Sequence, residues 1–450
     1  MRKIAGDLAR REIEGTPVRV ALVGAGRFGT TVAAQIGQMR GMRLALVVDV
    51  SRANAIAAWE AAGRDRSDVV DATSGAAAAD ALARGKCPIA GDWSVASDSP
   101  VDVVVEATGR VEIAARNALA SIRSGKHVVN VTVEADVLLG ARLRQLADAA
   151  GVVYTLADGD QPAVTRRLCD WAEALGYRIA AAGRGTKRYP EDNVGVPEEA
   201  FARYGFDPEL TARRRFNPQM YNSFRDGSKA QIEMAALANA TGLVPDRRGM
   251  HEPSASVADL PNLFRPKSEG GLLDREGVVD LANAVSADGK SEVPGSQANG
   301  VWVVVTSDSP ILREDLAFYG LPASANQTHA VFYRPFHLCG IETPLSVAEA
   351  ALYGQATAAA LPTPVADVLT VAKVDLRAGT VLDGSGGRYT RGLIDRAEVV
   401  RAEGLLPLGL AGGARLKVDV AAGQPITYDQ VDIPSDSVAL LLRREQDATW

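Results

Sequence analysis

Three charged side chains near the middle of the sequence have a spacing that suits proton transfer. Lys229 follows Asp226 by three residues and precedes Glu233 by four, and the composition of residues 230–240 favours a helix. On such a helix all three groups could face one pocket. There the lysine would polarise a carbonyl or alkoxide, and Asp226 or Glu233 would relay a proton. The alternative is an exposed ion pair between Lys229 and Glu233, which would only stabilise the helix.

A basic, glycine-rich segment extends this candidate site. Residues 183–188 read Gly-Arg-Gly-Thr-Lys-Arg and follow a predicted strand, so we expect a loop that suits an anionic substrate. Arg184 and Lys187 would hold the anionic end, and Lys187 is the second candidate for the catalytic lysine. A solvated basic turn would explain the same residues. Asn239 and His251 complete the predicted substrate contacts, although nothing in the spacing gives His251 a partner.

A second set of residues has the pattern of a dinucleotide-binding turn. The apolar run 18–23 leads directly into Gly24-Ala25-Gly26-Arg27-Phe28-Gly29, and apolar residues at helical spacing follow. Gly24 would permit the tight turn, Gly26 would let the backbone approach a pyrophosphate, and Gly29 would let the helix pack on the strand. The N-terminus of that helix would bind the phosphates. An ordinary strand–helix turn is the alternative.

The end of the second predicted strand bears on the choice of cofactor. Residues 44–48 end on Asp49, whose carboxylate would accept hydrogen bonds from both ribose hydroxyls of NAD and repel the 2′-phosphate of NADP. Arg52 lies just beyond and could instead bind that phosphate. The sequence therefore favours NAD and leaves NADP possible.

The alternation of strands and helices continues along the first third of the chain. Residues 101–109 and 125–131 each contain a predicted buried strand, and ligands of open parallel sheets bind outside the carboxyl ends of the strands. Residues that follow these strands should therefore border the nicotinamide. The predicted cofactor contacts are Gly24, Gly26, Arg27, Phe28, Gly29, Asp49, Arg52, Thr108, Gly109, Asn130 and Thr132.

These elements predict an α/β chain of three domains, because 450 residues exceed one ordinary hydrophobic core. A Rossmann doubly wound parallel sheet would bind NAD(P) over residues 1–160, and an α+β substrate domain would cover 161–361. Within it, residues 249–296 look like an irregular excursion rather than core. Residues 362–450 change to short strands and turns, which predicts a small all-β module.

Composition excludes several functional classes. Apolar residues make up 47% of the chain and charged residues 23%, which is typical of a globular protein. A net charge of −6 argues against a nucleic-acid partner, and no apolar run approaches a membrane span or the core of a secretory signal. Three scattered cysteines predict neither a disulfide framework nor a zinc site. We expect a cytoplasmic homo-oligomer with a small anionic substrate; the need for a divalent metal stays open.

Several motifs resemble known enzyme families. Gly24–Gly29, Glu106–Gly109 and Gly125–Val129 resemble the nucleotide domain of homoserine dehydrogenases. Other motifs are more similar to the reductoisomerase-like family, named for a 1-deoxy-D-xylulose-5-phosphate reductoisomerase activity, which includes D-apionate oxidoisomerases. The tail resembles a SAF (antifreeze-like, β-clip) domain. The motifs of the second group are Val133–Asp136, Gly159–Pro162, Asp226–Lys229, Glu233–Ala236, Asn239–Asp246, Gly249–His251 and Arg334–His337.

This resemblance implies an NAD(P)-dependent oxidoreductase that couples hydride transfer to isomerisation of a small branched sugar acid or sugar phosphate. One departure disfavours a plain homoserine dehydrogenase: those enzymes carry Asn-Lys after the Gly-Lys-His-Val-Val strand, whereas this chain has Asn130-Val131. A simple dehydrogenase of an amino or hydroxy acid is the alternative. A non-catalytic NAD sensor would not need the cluster around Lys229.

Overall fold

The structure is a computed structural model that describes residues 4–213 and 216–449. The strands are β1 (Val18–Val23), β2 (Met42–Val48), β3 (Val69–Asp71), β4 (Cys87–Ala90), β5 (Val103–Glu106), β6 (His127–Asn130), β7 (Tyr154–Leu156), β8 (Arg178–Thr186), β9 (Val244–Pro245), β10 (Val278–Asn283), β11 (Val301–Thr306), β12 (His329–Arg334), β13 (Ala366–Ala372), β14 (Thr390–Arg396), β15 (Arg415–Leu416) and β16 (Val431–Asp432). The helices are α1 (Ile4–Ile13), α2 (Arg27–Gln38), α3 (Arg52–Ala61), α4 (Gly75–Ala83), α5 (Ser94–Asp98), α6 (Val111–Arg123), α7 (Val133–Ala149), α8 (Gln161–Ala174), α9 (Ala200–Arg203), α10 (Pro208–Arg213), α11 (Pro218–Arg225), α12 (Ser228–Thr241), α13 (Leu260–Leu263), α14 (Pro310–Phe318), α15 (Thr343–Tyr353), α16 (Ala397–Ala402) and α17 (Val438–Asp447).

The chain folds into two compact units. The first unit runs to Ala163 and also contains Leu338–Pro362 and the described residues from Val438 onward. The second unit contains Val164–His337 and Thr363–Ser437. The grouping differs from the three predicted domains, because the C-terminal β segment packs with the substrate domain, and α17 packs on α6 and α7 of the first unit.

The first unit is built around a parallel sheet with the strand order β3-β4-β2-β1-β5-β6-β7. Its interior strands are largely apolar and buried because helices cover both faces, as the continuous apolar run of β1 predicted, whereas the edge strand β3 is only partly buried. The chain moves from β1 to β2 on one side and reaches β5 on the other, so the strand order reverses at β1. Ligands of such sheets bind at this reversal, and the predicted Rossmann-type fold is confirmed.

The second unit contains a mixed sheet with the order β12-β11-β8-β10-β9, in which β8, β10 and β9 are parallel and β11 is antiparallel. Two sequence predictions are wrong here. The basic segment predicted as a loop continues β8 through Thr186, because glycine allows close backbone packing: a Cβ on Gly183 would lie 1.8 Å from the carbonyl oxygen of Asp280. The predicted excursion 249–296 contains β10, an interior strand of this sheet.

Helix α12 is the central element of the second unit. All of its residues from Ser228 to Ala240 are buried, because β8 and β10 pack on one side of it and the β13–β14 pair on another. Its polar side chains bind the β13–β14 backbone. Ser228 Oγ accepts from Gly392 N at 2.9 Å, and Gln231 Oε1 accepts from Ile394 N at 2.8 Å. The β segment therefore completes the surroundings of α12.

Candidate functional site

The glycine-rich turn after β1 has the geometry that a dinucleotide needs. Gly24 has a φ of 97°, and a Cβ there would lie 2.5 Å from the carbonyl oxygen of Ala107. A Cβ on Gly29 would lie 2.0 Å from the carbonyl oxygen of Gly24, so glycine is required for α2 to pack this close. Gly26 has open space at its Cβ position and precedes α2 without a side-chain cap. The turn therefore fits the pyrophosphate of NAD.

Asp49, directly after β2, contacts the same turn. Its Oδ2 accepts from Ala25 N at 2.7 Å and its Oδ1 accepts from Ser51 N at 2.7 Å. A carboxylate has about four lone-pair positions, so Asp49 can still accept from a ribose diol. Arg52, the predicted alternative for a 2′-phosphate, pairs with Asp71 at 3.0 Å. A carboxylate at the turn and an arginine offset by another carboxylate both favour NAD over NADP.

The predicted nicotinamide-side residues surround Glu106, which sequence analysis left out of the site. Thr108 donates its N–H to Glu106 at 3.0 Å, and the Thr132 hydroxyl donates to the second carboxylate oxygen. Gly109 N donates to Thr132 Oγ1 and Asn130 Nδ2 donates to the Thr132 carbonyl, both at 3.0 Å. Burial raises the pKa of Glu106 to about 6 despite the two threonine hydroxyls. The structure thus brings these four predicted residues together around a buried carboxyl group.

The other two predicted cofactor contacts lie in the first turn of α2. Arg27 is exposed, whereas Phe28 is half-buried and packs against the apolar core of the first unit. The Phe28 side chain therefore stabilises the fold, and its backbone is the part that belongs to the glycine-rich turn.

The predicted catalytic residues Lys229 and Glu233 are both buried, at 6% and 1% exposure. The exposed ion pair that was the alternative is therefore excluded. Glu233 forms an ion pair with Arg184 of β8, which is also buried. Arg184 was predicted to hold an anionic substrate, but its Nη1 binds this carboxylate and its Nε donates to the Gly185 carbonyl at 2.8 Å. Arg184 thus links the sheet to α12 beside Lys229.

Asp226 forms a buried ion pair that sequence analysis did not predict. Lys373 Nζ, which follows β13, lies 2.5 Å from Asp226 Oδ2, and both side chains are fully buried. The ammonium also donates to the carbonyl oxygens of Gly195 at 3.0 Å and Gly387 at 2.6 Å. Burial raises the pKa of Asp226, whereas Lys373 acts to lower it. Since Asp226 is bound to a lysine and to Ser228 N, its geometry is that of a positioning residue at the start of α12.

A second cationic group lies where β8 and β10 end. Arg188 pairs with Glu252, and its Nη1 donates to Asn193 Oδ1 at 2.7 Å. Arg391 of β14 donates to the same amide oxygen at 3.4 Å. A Cβ on Gly227, the residue before α12, would lie 3.1 Å from Arg188 Cδ, so this group borders the helix start.

Three predicted substrate or catalytic residues do not join this cluster. Lys187 is exposed and its Nζ donates to Glu292 at 2.5 Å. Asn239 is buried, and its Oδ1 accepts from Val365 N and Ala366 N at 2.9 and 3.0 Å, so its amide anchors the start of β13. Each side chain therefore has a structural contact in place of the predicted substrate contact.

His251, the third, packs beside the interior strand β10. Its Nδ1 lies 2.7 Å from Asp280 Oδ2, and its Nε2 lies 3.6 Å from Asp246. The flanking residues Met250 and Glu252 have φ values of 67° and 48°, which non-glycine residues rarely adopt. Asp280 stabilises this turn because it also accepts the backbone N–H groups of His251 and Glu252 at 3.0 Å. This backbone turn places the Glu252 carboxylate beside Arg188, which donates to it.

Sequence analysis missed Glu106, Asp280, Lys373 and Arg391. Glu106 ends an apolar strand and Asp280 interrupts the apolar run 278–282. Since carboxylates are rarely buried without a partner, their position in apolar strands could have identified both as candidate site residues. Lys373 and Arg391 gave no comparable signal, because their partners lie far away in the chain.

Two family models match the sequence. Residues 24–157 match the NAD-binding domain of homoserine dehydrogenase, and residues 159–343 match the catalytic domain of Oxidoreductase DRL. Two adjoining regions of the chain therefore resemble an NAD-binding domain and an oxidoreductase catalytic domain, and the prediction of an NAD-binding domain is confirmed. No curated protein sequence matches the chain.

Solved structures of dehydrogenases also resemble parts of the chain. One is apo scyllo-inositol dehydrogenase from Lactobacillus casei, with 14% identity over 38% of this chain and 46% of that chain and a TM-score of 0.27. An oxidoreductase from Agrobacterium radiobacter in complex with NAD+, L-tartaric acid and magnesium has 14% identity over 39% and 45% of the two chains and a TM-score of 0.29. A probable dehydrogenase from Thermotoga maritima has 12% identity over 75% and 90% and a TM-score of 0.37. The chain spans about half the length of the first two.

Two further properties concern membranes and metals. Along residues 4–213 and 216–449, none of the helices combines the length and apolar composition needed to cross a bilayer. Within the same described ranges, His, Cys, Asp and Glu side chains form no group of three or more that could hold a metal ion.

Proposed function

We propose that the protein is an NAD-dependent dehydrogenase of a small anionic polyhydroxy compound, a sugar acid or a sugar phosphate, and that it couples hydride transfer to isomerisation of the carbon skeleton. The observation that carries this proposal is the burial of Lys229 in the first turn of α12, inside the region that matches an oxidoreductase catalytic domain. Withdrawal of the Lys229 side chain from bulk water strengthens the hydrogen bond that it would donate to a substrate oxygen.

The residues of the first unit would hold the cofactor. Gly24, Gly26 and Gly29 shape the turn for the pyrophosphate, and Asp49 would accept hydrogen bonds from the ribose diol. Bound NAD would supply a nicotinamide that accepts a hydride from the substrate. Glu106 and the threonines that donate to it would border that ring.

The residues of the second unit would bind and activate the substrate. Among the described residues no carboxylate lies within 4.0 Å of the half-buried Arg391 guanidinium, which is close to the start of α12, and this positive charge favours an anionic substrate. The ammonium of Lys229 would donate a hydrogen bond to the substrate oxygen that becomes a carbonyl, and the Glu233 carboxylate would accept the hydroxyl proton as the hydride leaves to NAD. The Arg184–Glu233 pair would fix the position of α12 during this step.

The test is a screen for NAD and NADP reduction against aldonates, branched sugar acids and pentulose phosphates, followed by the Lys229→Met variant. Removal of one donor that stabilises a developing oxyanion lowers kcat by about 10²–10³-fold. We expect that loss with NAD affinity changed by less than a few-fold. Lys267→Met is the matched control, because Lys267 pairs with Asp274 on the surface.

Product analysis by NMR distinguishes the two reaction types. A rearranged carbon skeleton would establish the isomerisation, whereas an unrearranged keto product would establish a simple dehydrogenase. Normal kcat in Lys229→Met would refute the assigned role of Lys229.

A further inference from the structure

Two guanidinium groups of the second unit converge on one neutral amide oxygen. Arg188 and Arg391 both donate to Asn193 Oδ1, at 2.7 and 3.4 Å. All three residues are half-buried, so a solute can reach them while much of their surface is withdrawn from water. An amide oxygen carries only a partial negative charge and cannot offset two full positive charges.

The carboxylates nearby offset only part of this charge. Glu252 pairs with Arg188, with Nε–Oε1 and Nε–Oε2 distances of 2.9 and 3.1 Å. Asp226 is held by the fully buried Lys373. In the part of the chain that the structure describes, no carboxylate lies within 4.0 Å of the Arg391 guanidinium. Burial and the neighbouring Arg188 both lower the pKa of Arg391, whereas Asp226 and Glu252 act to raise it.

The start of α12 adds to the positive potential at this place. Gly227 adopts a φ of 83° and supplies no side-chain cap to the helix, whereas Asp226 Oδ1 accepts from Ser228 N at 2.9 Å. Arg188 packs directly over Gly227. The positive end of the α12 dipole, which Asp226 partly offsets, therefore lies beside Arg188.

We propose that Arg188, Arg391 and Asn193 form the binding site for the anionic group of the substrate, a carboxylate or a phosphate. Guanidinium groups match both anions because they present paired N–H donors in one plane. This inference rests on the proposed function only in identifying the anion as part of the substrate. The proposed site takes the role predicted for Arg184 and Lys187, which bind protein carboxylates instead. Because β14 supplies Arg391, residues 363–437 contribute directly to binding of the anion.

The test measures anion binding to the full chain by isothermal titration calorimetry, without NAD or turnover. The probes are inorganic phosphate and glycolate, and preference for one or the other distinguishes a sugar phosphate from a sugar acid. A charge-assisted hydrogen bond contributes enough that Arg391→Gln should weaken binding on the order of 10- to 100-fold. Arg391→Lys should restore part of it. Arg377→Gln is the matched control, since Arg377 is 85% exposed in the same β segment, and it should bind as the wild type does.

A second variant, Asn193→Asp, tests the site independently of how Arg391→Gln folds. It would place a carboxylate between the two guanidinium groups, so we expect a higher Tm and loss of phosphate and glycolate binding. Equal anion affinity in wild type and Arg391→Gln would overturn the proposal, as would retained binding in Asn193→Asp.

The two proposals fail in distinguishable ways. Anion binding that depends on Arg391, together with no NAD reduction for any substrate class, would retain this site and reject the proposed function. NAD reduction with the same KM in wild type and Arg391→Gln would retain the function and reject the site.

Discussion

The buried ion pair between Lys373 and Asp226 allows a quantitative prediction about the second unit. Lys373→Met preserves most of the side-chain volume but removes the ammonium that lies 2.5 Å from Asp226 Oδ2. It also leaves the carbonyl oxygens of Gly195 and Gly387 without this donor. An ionised Asp226 would then be buried without a counter-charge, which costs about 3–5 kcal/mol of unfolding free energy. For a unit of this size the loss corresponds to a Tm decrease of roughly 10 °C.

The assay is urea and thermal unfolding of the full chain followed by circular dichroism. The double variant Lys373→Met/Asp226→Asn removes both charges, so its loss of stability should be smaller than the sum of the two single losses by at least about 2 kcal/mol. Lys267→Met is the control for an exposed pair, because Lys267 and Asp274 are both more than half exposed, and it should cost under about 1 kcal/mol.

The pH dependence of Lys373→Met follows from the same reasoning. Burial raises the pKa of Asp226 above its unfolded value, and loss of Lys373 removes the group that opposes this shift. The variant should therefore be most stable at acidic pH and lose stability as the pH rises through the folded pKa of Asp226. A cost below about 1 kcal/mol, or additive effects in the double variant, would mean that the pair is hydrated and would refute this account.

Three other predictions concern the first unit. NAD should bind at least tenfold more tightly than NADP, about 1.4 kcal/mol, because Asp49 is oriented by Ala25 N and Arg52 is offset by Asp71; equal affinities in a fluorescence titration would contradict this. Gly24→Ala should lower the free energy of unfolding by about 1–3 kcal/mol and weaken NAD binding, since its Cβ would overlap the Ala107 carbonyl at a φ of 97°. Gly63→Ala is the control, because Gly63 also has a positive φ but its Cβ would meet open space. Burial raises the pKa of Asp136 to about 7, above its unfolded value. The protonated carboxyl therefore stabilises the fold at acidic pH, and this stabilisation is lost as the pH rises towards 7. Since Asn cannot ionise, the Tm of Asp136→Asn relative to that of the wild type should be higher at pH 8 than at pH 5.

The features that sequence analysis predicted correctly are specified by neighbouring residues. Gly24, Gly26 and Gly29 stand between an apolar strand and a helix, and that local pattern fixes the turn whatever the rest of the chain does. The position of α12 followed in the same way from its composition and from the glycines at 227 and 242. Local signals thus predicted the sheet, the dinucleotide turn and the helix that carries Lys229.

The features that sequence analysis missed depend on residues far apart in the chain. Asn193 and Arg391 are separated by 198 positions, and no spacing rule relates two such residues. The sequence of the basic segment 183–188 predicts one loop with one role, yet its residues differ in burial. Arg184 is inside β8 and pairs with Glu233, Lys187 is exposed, and Arg188 reaches the half-buried site at the helix start. The positive charge of this segment is evident from the sequence, but the partner of each basic side chain depends on contacts that only the folded structure shows.

The faces of α12 explain why the β segment and the candidate chemistry belong to one structural unit. Ser228 and Asn239 are eleven residues apart, close to three turns, so both face β13 and β14 and bind their backbone. Lys229 and Glu233 are one turn apart on a different face, where Glu233 pairs with Arg184. Because one rigid helix carries both faces, the contacts that hold β14 also set the position of Lys229 relative to Arg391. A β segment that packs this way fixes the distance between the proposed anion site and Lys229, the proposed hydrogen-bond donor, and that distance selects the length of a substrate.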